Sequence, residues 1–305
     1  MTPAQHLAER ARVTRAIVLA CAGYFFFSVG DSVAKILTAR FHFSEIIFIA
    51  ASLTLVLLSI YGGIKEGRKA FRTKKPGLMA LRAVMSQIIG ACNILALPHV
   101  RLTTFYTLIF TSPFLLALLS AVFLKEKIAP RRLAVILAGF SVVLCVFRPG
   151  SGLMNPWTAA VLLGAAVYAG QLIVMRRIGT GESRNFMLMS GACLSLLWTF
   201  PLLHSRFIMP ELHEWELFAT LTLVNIMGIL SITHAFQTVP AATILAPYHY
   251  TQLVWGALLG WFIFHETPDT QVLMGATAII ALGLYLIYSE RRHSRIPVAE
   301  TAVEV

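Results

Sequence analysis

The sequence predicts an all-α polytopic membrane protein of ten transmembrane helices, arranged as two inverted five-helix repeats around a central cavity. Three observations carry that prediction. The composition is too apolar to clothe a soluble surface, ten apolar stretches are separated by short loops, and the chain resembles itself at an offset of about 140 residues. Of 305 residues, 57% are hydrophobic and 13% charged, with a mean hydropathy of +0.75. Soluble domains carry about a quarter charged residues, because a folded surface must be solvated. Crossing about 30 Å of hydrocarbon takes roughly 20 apolar residues of helix, so ten spans consume most of the chain.

After the N-terminal stretch 1–15, the first span reads 16–37. Arg10, Arg12 and Arg15 precede it, but only Ala16–Ala20 stands before Cys21 and the apolar run continues to Leu37, so it reads as a retained helix rather than a leader. Span two (43–62) opens at SEIIFIAAS, span three (78–97) holds Asn93, and span four (103–123) holds Tyr106, Thr107 and Pro113 and closes on Glu126. Span five (132–147) ends the first repeat, 16–147. The second repeat, 157–288, reads 157–175 with Tyr168 and Gln171, 186–203, and 217–238 with Asn225. It continues with 242–264, holding Pro247, Tyr248, Gln252 and Trp255 and closing on Glu266, and with 270–288 before the tail 289–305.

The basic residues set the orientation. Alternate connections and the two termini carry nineteen Lys and Arg, six of them in the 63–77 loop, whereas the intervening loops carry only Arg40, Arg101, Arg148 and Arg206. Lysine and arginine accumulate on the cytoplasmic side, so both termini are expected in the cytoplasm of a bacterial inner membrane. The net charge of +11 is thus spread along the chain in loops and forms no stripe for nucleic acid. The basic loop 63–77 can also meet anionic lipid head groups.

The repeat is read residue by residue. Gly23 and Lys35 match Gly164 and Arg176; Ala96, Val100 and Thr104 match Ala235, Val239 and Thr243; Glu126 matches Glu266. Five helices per copy is an odd number, so the second copy enters the membrane upside down. Glu126 then lies in the basic Lys125–Arg132 loop and Glu266 in the HETPD stretch on the other side. Inverted repeats recur in secondary transporters, whose near-equivalent halves exchange inward-open and outward-open arrangements. Channels are also built by duplication.

Two stretches carry a family resemblance. ALPHVRLTTFYTLIFTSPFLLALLSAVFLKEKIAPRRLAVILAGFSVVL (96–144) and HAFQTVPAATILAPYHYTQLVWGALLGWFIFHETPDTQVLMGATAIIALGLYL (234–286) resemble the EamA-type unit of the drug/metabolite transporter superfamily. Each shows an Ala-rich start, a mid-helix proline, a closing Glu and a glycine-bearing helix after it. The resemblance implies ten helices in two inverted units, with helices one to four and six to nine around a cavity and five and ten at the periphery. It also implies that Lys35 is the family's cation at the end of helix one, that Pro113 and Pro247 stand near its prolines, and that Glu126 and Glu266 are its span-closing acids. One departure is Ala50, where many relatives carry an Arg inside helix two.

No enzyme constellation is present. GxxxxGK[ST], HExxH, GxSxG and GxGxxG are all absent, and the nine histidines lack metal-ligand spacing. No cofactor and no catalytic residue is expected. The four cysteines sit singly inside apolar segments, without CxxC.

Ionisable groups inside spans are the sharper signal, since charge in hydrocarbon costs about 2.5–3.5 kcal/mol by insertion scales. Asp31 and Lys35 stand four apart on one helix face. They read either as a gate or proton-responsive pair in the outer vestibule or as a structural ion pair. Glu45 and Arg82, near span ends, read as interfacial snorkelling groups. The polar and aromatic set Asn93, Tyr106, Thr107, Tyr168, Gln171, Asn225, Tyr248, Gln252 and Trp255 must face protein or a cavity. Tyr248, Gln252 and Trp255, at i, i+4 and i+7, form one stripe that suits a planar ligand. The plainer reading is interhelical hydrogen bonding. Pro113 and Pro247 read as bending points or packing kinks. Gly256 and Gly260 form GxxxG, a close contact within the chain or the seam of a homodimer.

The expectation is therefore a secondary carrier of a small organic metabolite. Its sharpest form is uptake of a planar, riboflavin-like cofactor or of S-adenosylmethionine. The alternatives are an exporter of amino-acid-like metabolites or drugs, and a non-transporting scaffold or pore.

Overall fold

A computed structural model describes residues 3–65, 67, 72–123, 130–146, 154–178, 182–203, 207–238, 246–267 and 269–293. Every regular element among them is helical: α1 (Pro3–Leu37), α2 (Phe43–Lys65), α3 (Pro76–Ala96), α4 (Leu102–Ile109), α5 (Ser112–Phe123) and α6 (Pro130–Val146). There follow α7 (Pro156–Ile178), α8 (Arg184–Leu203), α9 (Leu212–Thr238), a 3₁₀ turn (Ala246–Tyr250), α10 (Thr251–Phe264) and α11 (Thr270–His293). Among the described residues, six stretches are long and apolar enough to cross a bilayer: Ala11–Leu37, Phe43–Ile64, Pro76–Ala96, Pro156–Met175, Asn185–Leu203 and Leu212–Ile232. Outward faces are apolar as well, with Leu197 71%, Phe200 68% and Met274 69% exposed. Side chains of that kind face lipid rather than water in a membrane protein.

Two passes depart from the continuous spans expected. Span 103–123 is broken into α4 and α5 at Phe110 and Thr111. Pro113 has no N–H to offer the carbonyl four residues back, that of Ile109. The Ser112 hydroxyl donates to that carbonyl instead, and Thr111 Oγ1 donates to the Leu108 carbonyl at 2.7 Å. Span 242–264 opens as the tighter 3₁₀ turn before α10 begins. Residues 239–245, with the repeat positions Val239 and Thr243, lie outside the described residues, as does Glu126.

Side-chain registers fix the helix directions. Along the α1–α9 seam, Ala16 and Ala20 cluster with Ala235, Gly23 faces Ile232, and Phe41 beyond the end of α1 meets Phe218. Rising numbers in one helix meet falling numbers in the other, so the two are antiparallel. The α3–α7 seam repeats the pattern: Met79 packs on Val174 and Ile178, Asn93 faces Gly164, and His99 stacks on Trp157. Lys35 near the end of α1 reaches the Val100 carbonyl beyond the end of α3, so α1 and α3 run in the same sense. Hence α7 runs opposite to α1, and α9 opposite to α3. The halves are inverted, and Gly23 and Gly164, matched in the sequence, occupy equivalent close approaches. α6 and α11, the fifth helix of each half, pack on each other.

The inversion puts one fastening at both ends. Glu45 is fully buried, not snorkelling; its Oε2 accepts from the His42 N–H at 3.1 Å and its Oε1 from the Ile208 N–H at 2.5 Å, tying the start of α2 to the approach to α9. Glu182, before α8, accepts from Thr73 Oγ1 at 2.7 Å and from the Lys74 N–H at 3.1 Å, tying α8 to the approach to α3. The sparsely charged connections gather at one end, where Arg101 donates to the Thr267 carbonyl at 2.8 Å. Basic residues gather at the other, where Lys75 donates to the Arg177 carbonyl at 2.8 Å and Arg177 to the Phe123 carbonyl at 3.3 Å.

Candidate functional site

The α1 sequence sets Tyr24, Ser28 and Asp31 on one face, three and four residues apart. That face meets α4 and α10. The Tyr106 hydroxyl donates to Asp31 Oδ2 at 2.7 Å, and Ser28 and Gln252 also lie within its reach. Tyr106 is fully buried. Its ring fits because Gly256 has no side chain: a Cβ there would stand 2.1 Å from Tyr106 Cδ2. Gly260 in turn faces Leu102 and Glu266. The GxxxG stripe therefore seats α10 on α4 within one chain, and the homodimer seam read from it is already filled.

One turn toward the basic end, aromatic rings replace carboxylate and amide. Tyr24 stacks on His249 with centroids 4.6 Å apart, and Phe110, at the break between α4 and α5, meets the His249 ring edge-on at 5.2 Å. Phe110 also meets Tyr250 at 5.1 Å, and Tyr168 of α7 lies beside Tyr24. The interior is thus a column of tyrosine, imidazole, hydroxyl and carboxylate where α1, α4, α7 and α10 converge. Both interrupted passes border it, and free backbone of this kind is tolerated in a membrane only where protein or a polar interior receives it.

Asp31 and Lys35, expected to pair, do not. Lys35 Nζ lies 2.5 Å from Glu266 Oε1 and 2.7 Å from the Val100 carbonyl, and 5.1 Å from the Phe264 ring centre. Glu266 Oε2 accepts the Leu102 N–H at 2.9 Å. The ammonium extends toward the helix end, where a carboxylate and a carbonyl await it, and leaves Asp31 to Tyr106. His265, left-handed at φ 52°, caps α10 and turns the chain so that Glu266 comes back to this cluster. One ion pair thereby fastens α1, the α3–α4 connection and the α10–α11 connection at the sparsely charged end.

The other residues singled out in the sequence divide. Gln252, only 7% exposed, belongs to the column. Trp255 packs on Phe25 of α1 at 5.0 Å, and its Nε1 is buried without a partner. Thr107 donates to the Thr103 carbonyl at 2.7 Å and Asn225 to the Leu221 carbonyl at 2.9 Å, each within its own helix. Gln171 bridges α7 to α3 through Ser86 Oγ at 2.6 Å and the Arg82 carbonyl at 3.2 Å. Asn93 stands against Gly164. The side chains of Pro113 and Pro247 fall outside the described residues, although their backbones border the two interruptions.

Tyr24, Ser28 and His249 were missed. Tyr24 and Ser28 were legible, two turns and one turn before Asp31 on its face. His249 was not: a 3.6-residue period groups Tyr248 with Gln252 and Trp255, and the 3₁₀ turn, with three residues per turn, brings His249 onto Tyr24 and Phe110.

Comparison with known proteins agrees with this architecture. The model of a family described as the EamA-like transporter family matches residues 14–148 and again 155–289. The chain is 28% identical over 268 residues to the S-adenosylmethionine uptake transporter of Rickettsia bellii, covering 87% of this chain and 90% of that protein. It is 28% identical over 275 residues to the pseudopaline exporter CntI of Pseudomonas aeruginosa, covering 88% and 95%. It is also 28% identical over 257 residues to the riboflavin transporter of Brucella anthropi, covering 81% and 87%. One solved crystal structure shares the fold with a TM-score of 0.60 at 18% identity, over 92% of this chain and 99% of its own.

Proposed function

From the fact that the chain belongs to the EamA-like transporter family and is a multi-pass membrane transporter of small molecules rather than an enzyme, we propose the following cycle. The two inverted halves rock about the column of Tyr24, Tyr106, Asp31, His249 and Gln252 and expose it to either side in turn, with both termini in the bacterial cytoplasm. The Lys35–Glu266 pair closes the outer side and must part for the column to open outward.

The observation that carries this reading is the 2.7 Å bond from Tyr106 to Asp31. It is a carboxylate deep in the membrane held by a phenol rather than by a cation, in a site shared by both halves. Intramembrane carboxylates of this kind mark cargo or proton pathways. A cationic group or a proton can neutralise Asp31, and the adjoining rings suit a planar or sulfonium-bearing cargo. Uptake of S-adenosylmethionine or a riboflavin-type cofactor is the sharper form of the proposal. Export of an amino-acid-like metabolite is the second reading, supported by equal similarity to an exporter. The test is uptake by proteoliposomes containing the full chain, with radiolabelled S-adenosylmethionine, riboflavin and amino acids, with and without a pH gradient. Saturable flux of one cargo that is lost in Asp31→Ala supports the reading; non-saturable flux of all of them identifies a pore.

A further inference from the structure

Arg82 stands in the second turn of α3, about 9 Å of helix rise from its start. The helix carries it past the basic end and into the membrane, where α3 meets α7 and α8. Its Nη1 donates to the Met187 carbonyl of α8 at 2.6 Å, and its Nε is buried with no partner. No ion pair engages it among the described residues. Asp31 is taken by Tyr106, Glu266 by Lys35, and Glu182 by Thr73 and Lys74. A second donor is unfilled close by in sequence: Asn185, two residues before Met187 and 4% exposed, has an unpartnered Nδ2. The setting is polar as well, since Gln171 donates to Ser86 Oγ and to the Arg82 carbonyl.

A guanidinium in hydrocarbon without a counter-charge is costly, and such groups face a pathway or a partner. The Met187 bond fixes the plane of the fork and leaves the edge that carries Nε. A planar carboxylate fits that edge with two parallel N–H···O bonds, which a lysine ammonium cannot reproduce. We infer that Arg82 receives a carboxylate of the cargo on the cytoplasmic half of the pathway, so that the cargo is a carboxylate-bearing metabolite. This rests on the carrier function proposed above and narrows it. S-adenosylmethionine and amino acids carry the required group, and riboflavin does not. The basic loop before α3 raises the local concentration of such anions.

The test compares S-adenosylmethionine with its decarboxylated form, which keeps adenosine, sulfonium and amine, in proteoliposomes containing the full chain. Riboflavin serves as a carboxylate-free control. The wild-type protein is expected to take up S-adenosylmethionine with an apparent KM at least tenfold lower than that of the decarboxylated form. Arg82→Gln is expected to erase the difference, and Arg82→Lys, which keeps the charge without the fork, to retain only a small part of it. Should Arg82→Gln fail to fold, Arg82→Lys decides. An unchanged preference in either variant overturns the inference. Wild-type transport of riboflavin alone, equal in Arg82→Gln, overturns it while leaving the carrier function standing. A wild-type protein that moves none of the three probes, nor any of the amino acids tried in the same proteoliposomes, overturns both.

Discussion

Tyr106 and Asp31 are joined at 2.7 Å although they lie in different helices, and the tyrosine ring occupies space that Gly256 of a third helix leaves open. Removing the phenol while keeping the ring isolates the bond. Tyr106→Phe is expected to fold, losing about 1 kcal/mol of stability, and to transport several-fold more slowly. Asp31→Asn, which still accepts a hydrogen bond, is expected to abolish any response of flux to an imposed pH gradient. Initial rates in proteoliposomes at two external pH values check both.

Gly256→Ala tests the close approach. A methyl 2.1 Å from the Tyr106 ring cannot be accommodated without moving α10 from α4, and such overpacking costs about 1–3 kcal/mol. Gly191→Ala is the control, because nothing lies within 4 Å of the added Cβ. A lower melting temperature in detergent for the first variant and none for the second is the expected result.

The Lys35–Glu266 pair is well shielded, at 11% and 13% side-chain exposure. Removing one partner of a buried pair strands the other, at about 3–5 kcal/mol. Lys35→Met and Glu266→Gln should each be destabilising, and the double variant should recover part of the loss. Additive losses across the cycle would show that the two side chains act independently. Each single variant should also make Val100→Cys more reactive toward an impermeant thiol reagent from outside.

Ser112→Ala removes the hydroxyl that serves the Ile109 carbonyl at the break before Pro113. An unserved carbonyl in a dry interior costs about 1–3 kcal/mol. Ser141→Ala, whose hydroxyl serves an exposed carbonyl already inside a regular helix, should be nearly silent in the same melting assay.

At the sparsely charged end, Arg40 lies 2.7 Å from Glu211 and 2.9 Å from Glu214. The hydrogen bond from Arg40, reinforced by its charge, holds the Glu211 carboxyl below the ordinary 4.5. A carboxyl lowered on folding contributes stability above its unfolded value and loses it as pH falls through the lowered one. Glu211→Gln should therefore match the wild type below that window and fall slightly short of it at pH 7. Both residues are solvent-exposed, so the difference should vanish in 1 M salt.

Much of the fold was legible because membrane insertion reads local properties. Apolar length marked the passes, and the Gly23/Gly164 match marked the repeat, whose two copies set these glycines against Ile232 and Asn93. The candidate site was legible in part. Asp31, Tyr106 and Gln252 were found because polar groups have nowhere else to go in lipid, yet the partner of Lys35 was misassigned to a neighbour four residues away. Local spacing says which residues can meet on one helix, and it says nothing of what another helix offers. Glu45 and Arg82 show the same limit: both looked like interfacial charges until α8 and the segment before α9 supplied their partners.

The sequence by itself determined ten passes, a duplicated five-helix unit and the reversal of the second copy, since each follows from apolar run length, charge and an odd helix count. Tertiary packing alone decided that Lys35 belongs to Glu266, that His249 stacks on Tyr24, and that Arg82 has no counter-charge among the described residues. Those outcomes depend on which groups from distant parts of the chain come within about 3 Å of one another, a distance that hydrogen bonds and ion pairs require and that periodicity along one helix does not encode.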